Sequence, residues 1–207
     1  MKLYYHPISP PARAVIVTAK HLSISLDLKE VDLFRGETRT ESYLEMNPAH
    51  TVPTLVDGNV TLFESRAIMQ YISNKYRPNN SLYPNDPHAR ALVDMILFFD
   101  ASSFTPALRG LLLPRLIQKV SPSNTALEEL KEKTEICDKI LGTSIFMTGN
   151  YLTLADISIA TQIPVLKVCA PGFITPRLQA WYDRVVRDCP YLEESNSSFD
   201  YKAALKI

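Results

Sequence analysis

The chain has 207 residues, 46% of them hydrophobic and 21% charged, a globular composition that can bury one large core or two smaller ones and excludes dominant disorder. Lys plus Arg and Asp plus Glu both number 22, so no basic surplus exists to bind nucleic acid or an anionic membrane surface. The longest apolar runs, such as Met95-Ile96-Leu97-Phe98-Phe99, fall far short of the ~20 residues that span a bilayer.

The first residues, with Leu3-Tyr4-Tyr5-His6-Pro7 after Lys2, lack the run of about 7–15 apolar residues of a secretory signal, so the expected location is cytoplasmic. Leu3-Tyr4-Tyr5 reads as a strand, and Pro11 to Leu22 as a helix with Ala14, Val15, Val17, Thr18 and Leu22 at helical spacing. A second strand over Leu26 to Val31 precedes a polar segment with a short helix near Ser42 to Met46. Thr54-Leu55-Val56 and Val60-Thr61-Leu62 flank a turn around Gly58 and read as a hairpin. Ser65 to Tyr76 follows as a helix with Ala67, Ile68, Tyr71 and Ile72 on one face. The order is βαβαββα.

Residues 77–87 hold three prolines and three asparagines, a linker signature between a first unit at 1–76 and a second at 88–207. Apolar spacings of three and four then dominate from Ala89 to Leu141 and from Leu154 to Val186, so the second unit is expected to be all helix. Pro106 and Pro114 are expected to bend or interrupt its first long helix, which could then wall a pocket. Thr153 and Asp156 have the spacing of a capping box, which accounts for them as a folding element. Cys137, Cys169 and Cys189 form no Cys-x-x-Cys pair, and His6, His21, His50 and His88 show no metal-binding spacing; no metal is expected.

Three loops could carry chemistry. In Ser9-Pro10-Pro11-Ala12-Arg13, Ser9 can cap the first helix, or its hydroxyl can donate to an anion that the helix field also stabilises. In Asn47-Pro48-Ala49-His50-Thr51-Val52-Pro53-Thr54, a proline before a strand marks a tight junction of trans or cis geometry, which frees the Val52 backbone to pair with a peptide. His50 there is either a satisfied loop histidine or a donor to a carboxylate. In Phe63-Glu64-Ser65-Arg66, Ser65 fits an N-cap, the helix start could hold a second carboxylate, and Glu64 could accept from an ammonium group. One tripeptide with a free amine and two carboxylates would satisfy all three loops, a description that fits glutathione.

These motifs, with Leu152-Thr153-Leu154-Ala155-Asp156-Ile157 and Pro176-Arg177-Leu178-x-x-Trp181 in the second half, resemble the cytosolic glutathione S-transferases of the insect delta/epsilon type. The Ser-Pro-Pro wording leans towards epsilon, and the resemblance covers essentially the whole chain. It implies a thioredoxin-like domain with a mixed four-stranded sheet over 1–76, and an all-α domain over 88–207 that forms the hydrophobic substrate pocket. It also implies that Ser9 lowers the glutathione thiol pKa, so that the thiolate attacks a hydrophobic electrophile. His50 would contact the glycyl end, Val52 the cysteinyl backbone beside Thr51 and Pro53, and Glu64, Ser65 and Arg66 the γ-glutamyl end. Pro11, Leu33, Phe104, Thr105, Leu108, Arg109 and Leu112 would line the second pocket, with Leu205 as a cap. A homodimer is implied.

The sequence departs from the family's usual pattern at two places, with Ala49 where Gln is common and Ala12 where Cys is frequent. A non-catalytic carrier of steroids or other apolar ligands would use the same fold. A disulfide reductase would need a cysteine at the first helix start, which has Ser9-Pro10-Pro11-Ala12 instead. Between Ala101 and Leu127, Arg109, Arg115 and Lys119 occur with no acid, so a neutral chain could still offer a locally positive wall to an anionic tripeptide.

Overall fold

Two prolines directly after Ser9 fix where the first helix begins, because proline fits only the first turn, where its missing N–H has no partner to lose. The computed structural model, which describes residues 1–205, accordingly has strand β1 at Lys2–Tyr5 and helix α1 at Pro10–His21. β2 (Asp27–Glu30), α2 (Glu41–Met46), β3 (Thr54–Asp57), β4 (Val60–Phe63) and α3 (Ser65–Tyr76) complete the expected order. The sheet runs β2-β1-β3-β4; β1 is parallel to β2, antiparallel to β3, and β3 is antiparallel to β4. Asp57 pairs with Val60 across a two-residue turn in which Gly58 takes a φ of +63°, a conformation glycine adopts without a Cβ clash. This is a thioredoxin-like sheet domain, and helices follow it.

Those helices are α4 (Pro87–Phe99), α5 (Thr105–Leu113), α6 (Asn124–Leu141), α7 (Leu154–Ala160), α8 (Ile163–Cys169), α9 (Pro176–Asp188), α10 (Tyr191–Asn196) and α11 (Tyr201–Leu205). Residues Ala12 through Ala19 of α1 are all buried, because the helix packs against α3 on one side and against α7 and α10 on the other. The two halves therefore share one core, with α1 at its centre.

Of the two outcomes expected at Pro106 and Pro114, a bend or an interruption, the interruption does not occur. Pro87–Gln118 is one helical run of 32 residues that changes register beside each proline. Over Asp100–Phe104 and Pro114–Gln118 the turns widen to π geometry, with the Thr105 N–H donating to the Asp100 carbonyl and the Lys119 N–H to that of Pro114. Proline has no N–H to close the α ladder, and the wider i to i+5 turn keeps the chain helical past the gap. This run is long and apolar enough to cross a membrane by length and composition, but Val93, Ile96, Leu97, Leu108 and Leu111 on it are buried in the core.

The expected linker is docked. Leu82 and Tyr83 are buried, the Leu82 carbonyl accepts from the Leu154 N–H at 2.9 Å, and the Tyr83 hydroxyl donates to Asp94 at 2.8 Å. Asp86 then caps α4 by accepting from the Ala89 N–H, which puts the helix start at Pro87. Asp156 is fully buried and accepts from the Met147 N–H, the Trp181 indole N–H, and the Thr153 N–H and hydroxyl at 2.8 to 3.1 Å. Burial pushes its carboxyl above the ordinary range while these donors oppose the shift. The pair caps α7, the structural role read from its spacing, and the Trp181 bond also ties it to α9. All three cysteines are buried and free, and burial raises their thiols, that of Cys189 to about 11, which makes them poor nucleophiles at neutral pH.

Candidate active site

A cavity of about 1010 Å³ lies where the loops after β1, before β3 and before α3 face the α4–α5 run. Ser9, Pro11, Leu33, His50, Thr51, Val52, Pro53, Glu64, Ser65 and Arg66 all line it, so the fold brings the three loops named from sequence to one place.

Ser9 is the N-cap of α1: its Oγ accepts from the Ala12 N–H at 3.3 Å. The cap and the donor are compatible, because this bond uses a lone pair and leaves the hydroxyl hydrogen free. Pro10 and Pro11 have no N–H, and Ser9 takes that of Ala12. At this helix end the Ser9 O–H is therefore the donor left for an anion, backed by the positive end of the helix dipole.

The second loop is held from behind. Asn47 is fully buried; its amide donates to the Thr51 carbonyl at 3.0 Å and to the Thr54 hydroxyl at 2.8 Å, and its Oδ1 accepts from the Ala49 N–H. The Tyr43 hydroxyl also donates to the Thr51 carbonyl at 2.7 Å. The Val52–Pro53 bond is cis, and His50 adopts a φ of +47°. Residues 50–53 all line the cavity.

At the third loop the N-cap is Glu64, which corrects the expectation that Ser65 would be. Glu64 has a φ of +70° and offers no side-chain cap, so the first N–H groups of α3 are left for a ligand or solvent. A non-glycine residue at positive φ costs about 1–3 kcal/mol and persists where its surroundings over-determine it, often at functional sites. Ser65 instead is the first helical residue, 2% exposed, and its Oγ accepts from Arg66 at 3.0 Å.

Arg66 is engaged inward. Its guanidinium donates to Asp100 Oδ2 from both Nε (3.1 Å) and Nη2 (2.5 Å), and to the Thr105 hydroxyl at 2.6 Å. Asp100 is fully buried and also accepts from Thr105, from Ser158 and from the Gln162 amide. Two charge-assisted bonds converge on one carboxylate oxygen while the other oxygen serves Thr105 and Gln162, so the arrangement ties the start of α3 to α5, α7 and the residue before α8.

The second wall is apolar: Leu108, Leu112, Leu113, Leu116 and Val165 line the cavity with Thr105 and Arg109. Phe104, expected among them, is not: it is fully buried in the core cluster, because the wide turn at Asp100–Phe104 directs it inward. Leu205 packs against the core and is not among the described residues that line the cavity. Arg109 is exposed at the cavity and makes no ion pair among the described residues. The described residues contain no group of three or more His, Cys, Asp and Glu side chains that could hold a metal ion.

Residues 3–80 match the family model described as the glutathione S-transferase N-terminal domain. Over 194 residues the chain is 34% identical to "Glutathione S-transferase 2" of Anopheles gambiae, covering 92% of each chain. The chain belongs to the glutathione S-transferases. Among solved structures, this transferase superposes on a delta-class glutathione transferase of Nilaparvata lugens with a TM-score of 0.89 at 32% identity, over 99% of this chain and 98% of that one. An epsilon-class glutathione S-transferase of the housefly, Musca domestica, gives 0.87, also at 32% identity, over 99% and 95%. The relatives are thus of the insect delta and epsilon type, and the enzyme joins glutathione to electrophiles.

Several residues that line or brace this transferase's cavity are not singled out by the sequence. Asp100 had a visible signal: it is the one acid between Asp94 and Glu128, set among phenylalanines. Asn47 and Tyr43, which brace the second loop, and Arg39 and Phe34, which line the cavity, had none in a single chain.

Proposed function

We propose that Ser9 activates the glutathione thiol and that residues 1–76 bind glutathione, 77–87 connect, and 88–207 supply the hydrophobic substrate pocket. The observation that carries this is the Ser9 hydroxyl on the cavity wall at a helix N-terminus, its oxygen accepting from the Ala12 N–H so that its own O–H can donate. Its O–H donates to the sulfur and stabilises the thiolate over the thiol, drawing the thiol pKa down from the ordinary range near 8.5. The thiolate then attacks the electrophilic carbon; with an aryl halide the C–S bond forms, and the halide leaves with the electron pair of the carbon–halogen bond.

His50 holds the glycyl carboxylate, and the Val52 backbone, between Thr51 and Pro53, pairs with the cysteinyl unit. The N–H groups at the start of α3, at Ser65 and Arg66, hold the γ-glutamyl carboxylate, and Glu64 accepts from its ammonium group. The inward bonds of Arg66 support a role in positioning that helix end more than in gripping the ligand. Pro11, Leu33, Thr105, Leu108, Arg109 and Leu112 form the electrophile side, the one cation among them suited to substrates that gain negative charge as sulfur adds. The chemistry draws on hydrogen-bond donors of the protein, with glutathione as co-substrate and no metal. Thiol consumption across aryl halides, organochlorines and hydroperoxides tests the substrate class. Turnover of aryl halides is the expected result, and an enzyme that consumes glutathione with none of them overturns it.

The same proposal includes a cytoplasmic homodimer of the epsilon class, without nucleic-acid or membrane partners. The Ser9-Pro10-Pro11 sequence supports the class. The dimer is supported by Met95 and Phe98, which α4 leaves 52% and 71% exposed one turn apart, and by Phe63 on β4 at 38%. Sedimentation should give twice the chain mass, and a lone 23.3 kDa species would contradict the assembly.

A further inference from the structure

The backbone that presents Ser9 is gripped from two sides. Within the loop, the Ile8 N–H donates to His6 Nδ1 at 3.1 Å and the Ser9 N–H to the His6 carbonyl at 3.0 Å. From outside, Arg13 Nη1 donates to the Pro7 carbonyl at 2.7 Å, and the Tyr201 hydroxyl donates to the Ile8 carbonyl. The two carbonyls immediately before Ser9 are therefore held by one residue of α1 and one of α11.

These two residues are joined and buried. Arg13 is fully buried, and Tyr201 is 3% exposed. Arg13 Nη1 also donates to the Tyr201 oxygen at 2.7 Å, Nη2 to the Thr161 carbonyl at 2.8 Å, and Nε to Asn196 Oδ1 at 3.2 Å. A guanidinium removed from water carries a large desolvation cost, and here neutral oxygens meet it with no carboxylate among them. Its surroundings over-determine its place. Neither Arg13 nor Tyr201 is among the described residues lining the cavity, so neither touches substrate.

We propose that Arg13 and Tyr201 are positioning residues that fix the direction of the Ser9 hydroxyl, so that the C-terminal segment of the chain sets the acidity of bound glutathione. The proposal rests on Ser9 being the group that meets the thiol. A donor must sit within a few tenths of an ångström of its place to be worth its full strength to a developing anion. A loop whose carbonyls are released loses that accuracy before it loses the ligand.

Tyr201→Phe in the full chain keeps the ring and removes the oxygen that bridges Arg13 to Ile8. The expected result is a higher pH midpoint in the kcat/KM profile and less thiolate absorbance from bound glutathione at neutral pH. kcat should fall about tenfold, the equivalent of one lost hydrogen bond. KM for glutathione should stay within about twofold, because no ligand contact is touched. Leu192→Ala, at a fully buried α10 position, is the comparison for plain loss of stability and should lower Tm with the midpoint unmoved. A Tyr201→Phe enzyme with lowered Tm but a wild-type midpoint and kcat overturns the inference alone. If Ser9→Ala also leaves the midpoint in place, the Ser9 reading fails and the inference falls with it.

Discussion

Ser9→Ala should lower kcat for conjugation of an aryl halide by about 10²–10³-fold, the usual effect of deleting one aligned donor to a developing or standing anion. In the proposed reaction the thiolate is the attacking species, and the Ser9 hydroxyl favours it over the thiol. Removing that donor therefore raises the thiol pKa, moves the pH midpoint of kcat/KM upward, and lets the mutant regain part of its rate at high pH. KM for glutathione should change little, since the other contacts proposed for the peptide lie on the loops at residues 50–53 and 64–66.

The substitution also removes a helix cap, because the same oxygen accepts from the Ala12 N–H. About 1 kcal/mol of stability should go with it. Ser9→Asp separates the two roles: it keeps an oxygen that can cap and has no proton to give at neutral pH. Both variants should be inactive in the thiolate assay, while only the alanine variant melts earlier. An active Ser9→Asp enzyme would show that the cap, and not the donor, is what the reaction needs.

Asp100→Ala should be the most destabilising single change at the site, by about 3–5 kcal/mol in chemical denaturation, because it leaves a largely buried guanidinium without its counter-charge. The Arg66 side chain is 11% exposed and that of Asp100 is 0% exposed, so water cannot replace the lost partner. Thr105, Ser158 and Gln162 lose their acceptor in the same step. The kinetic effect should appear in KM for glutathione, since Arg66 and Ser65 begin α3 and would no longer be held against α5. Asp100→Asn, with similar shape and no charge, should fall between. If Asp100→Ala folds with wild-type stability, the ion pair does not brace the site.

Which parts of this enzyme are legible in the sequence follows from where the information resides. Through α3 the order of strands and helices is local, carried by apolar periodicity and by the prolines that start α1, and those boundaries lie within a residue or two of expectation, whereas the second unit reads only as long helical spans that the structure divides, among the described residues, into eight helices. The three loops that line the cavity are legible because each pairs a strand or helix end with a residue type that has few other uses there. The Arg66–Asp100 pair is not, since it spans 34 residues and depends on how two domains pack. Nor is the inward direction of Phe104, because a periodic pattern assumes 3.6 residues per turn and the structure departs from that number at Asp100–Phe104. The same holds for Arg13, which in the sequence is one cation beside a serine loop and in the fold is the point where both ends of the chain meet.

The wide turn at Asp100–Phe104 has a consequence for how this enzyme can change. A π turn holds one residue more than an α turn, so everything after it is rotated by about 100° relative to an uninterrupted helix. Thr105, Leu108, Arg109, Leu112, Leu113 and Leu116 form a stripe at helical spacing, and it is this rotation that points the stripe at the cavity. Losing one residue from the turn would let it close to α geometry with the stripe still aimed at the cavity, whereas closing it with every residue kept would redirect the stripe, exchanging wall for core. The face that this helix turns to the cavity is thus set by phase as much as by composition: a change that closes the turn with every residue kept would alter the wall with no substitution in the pocket.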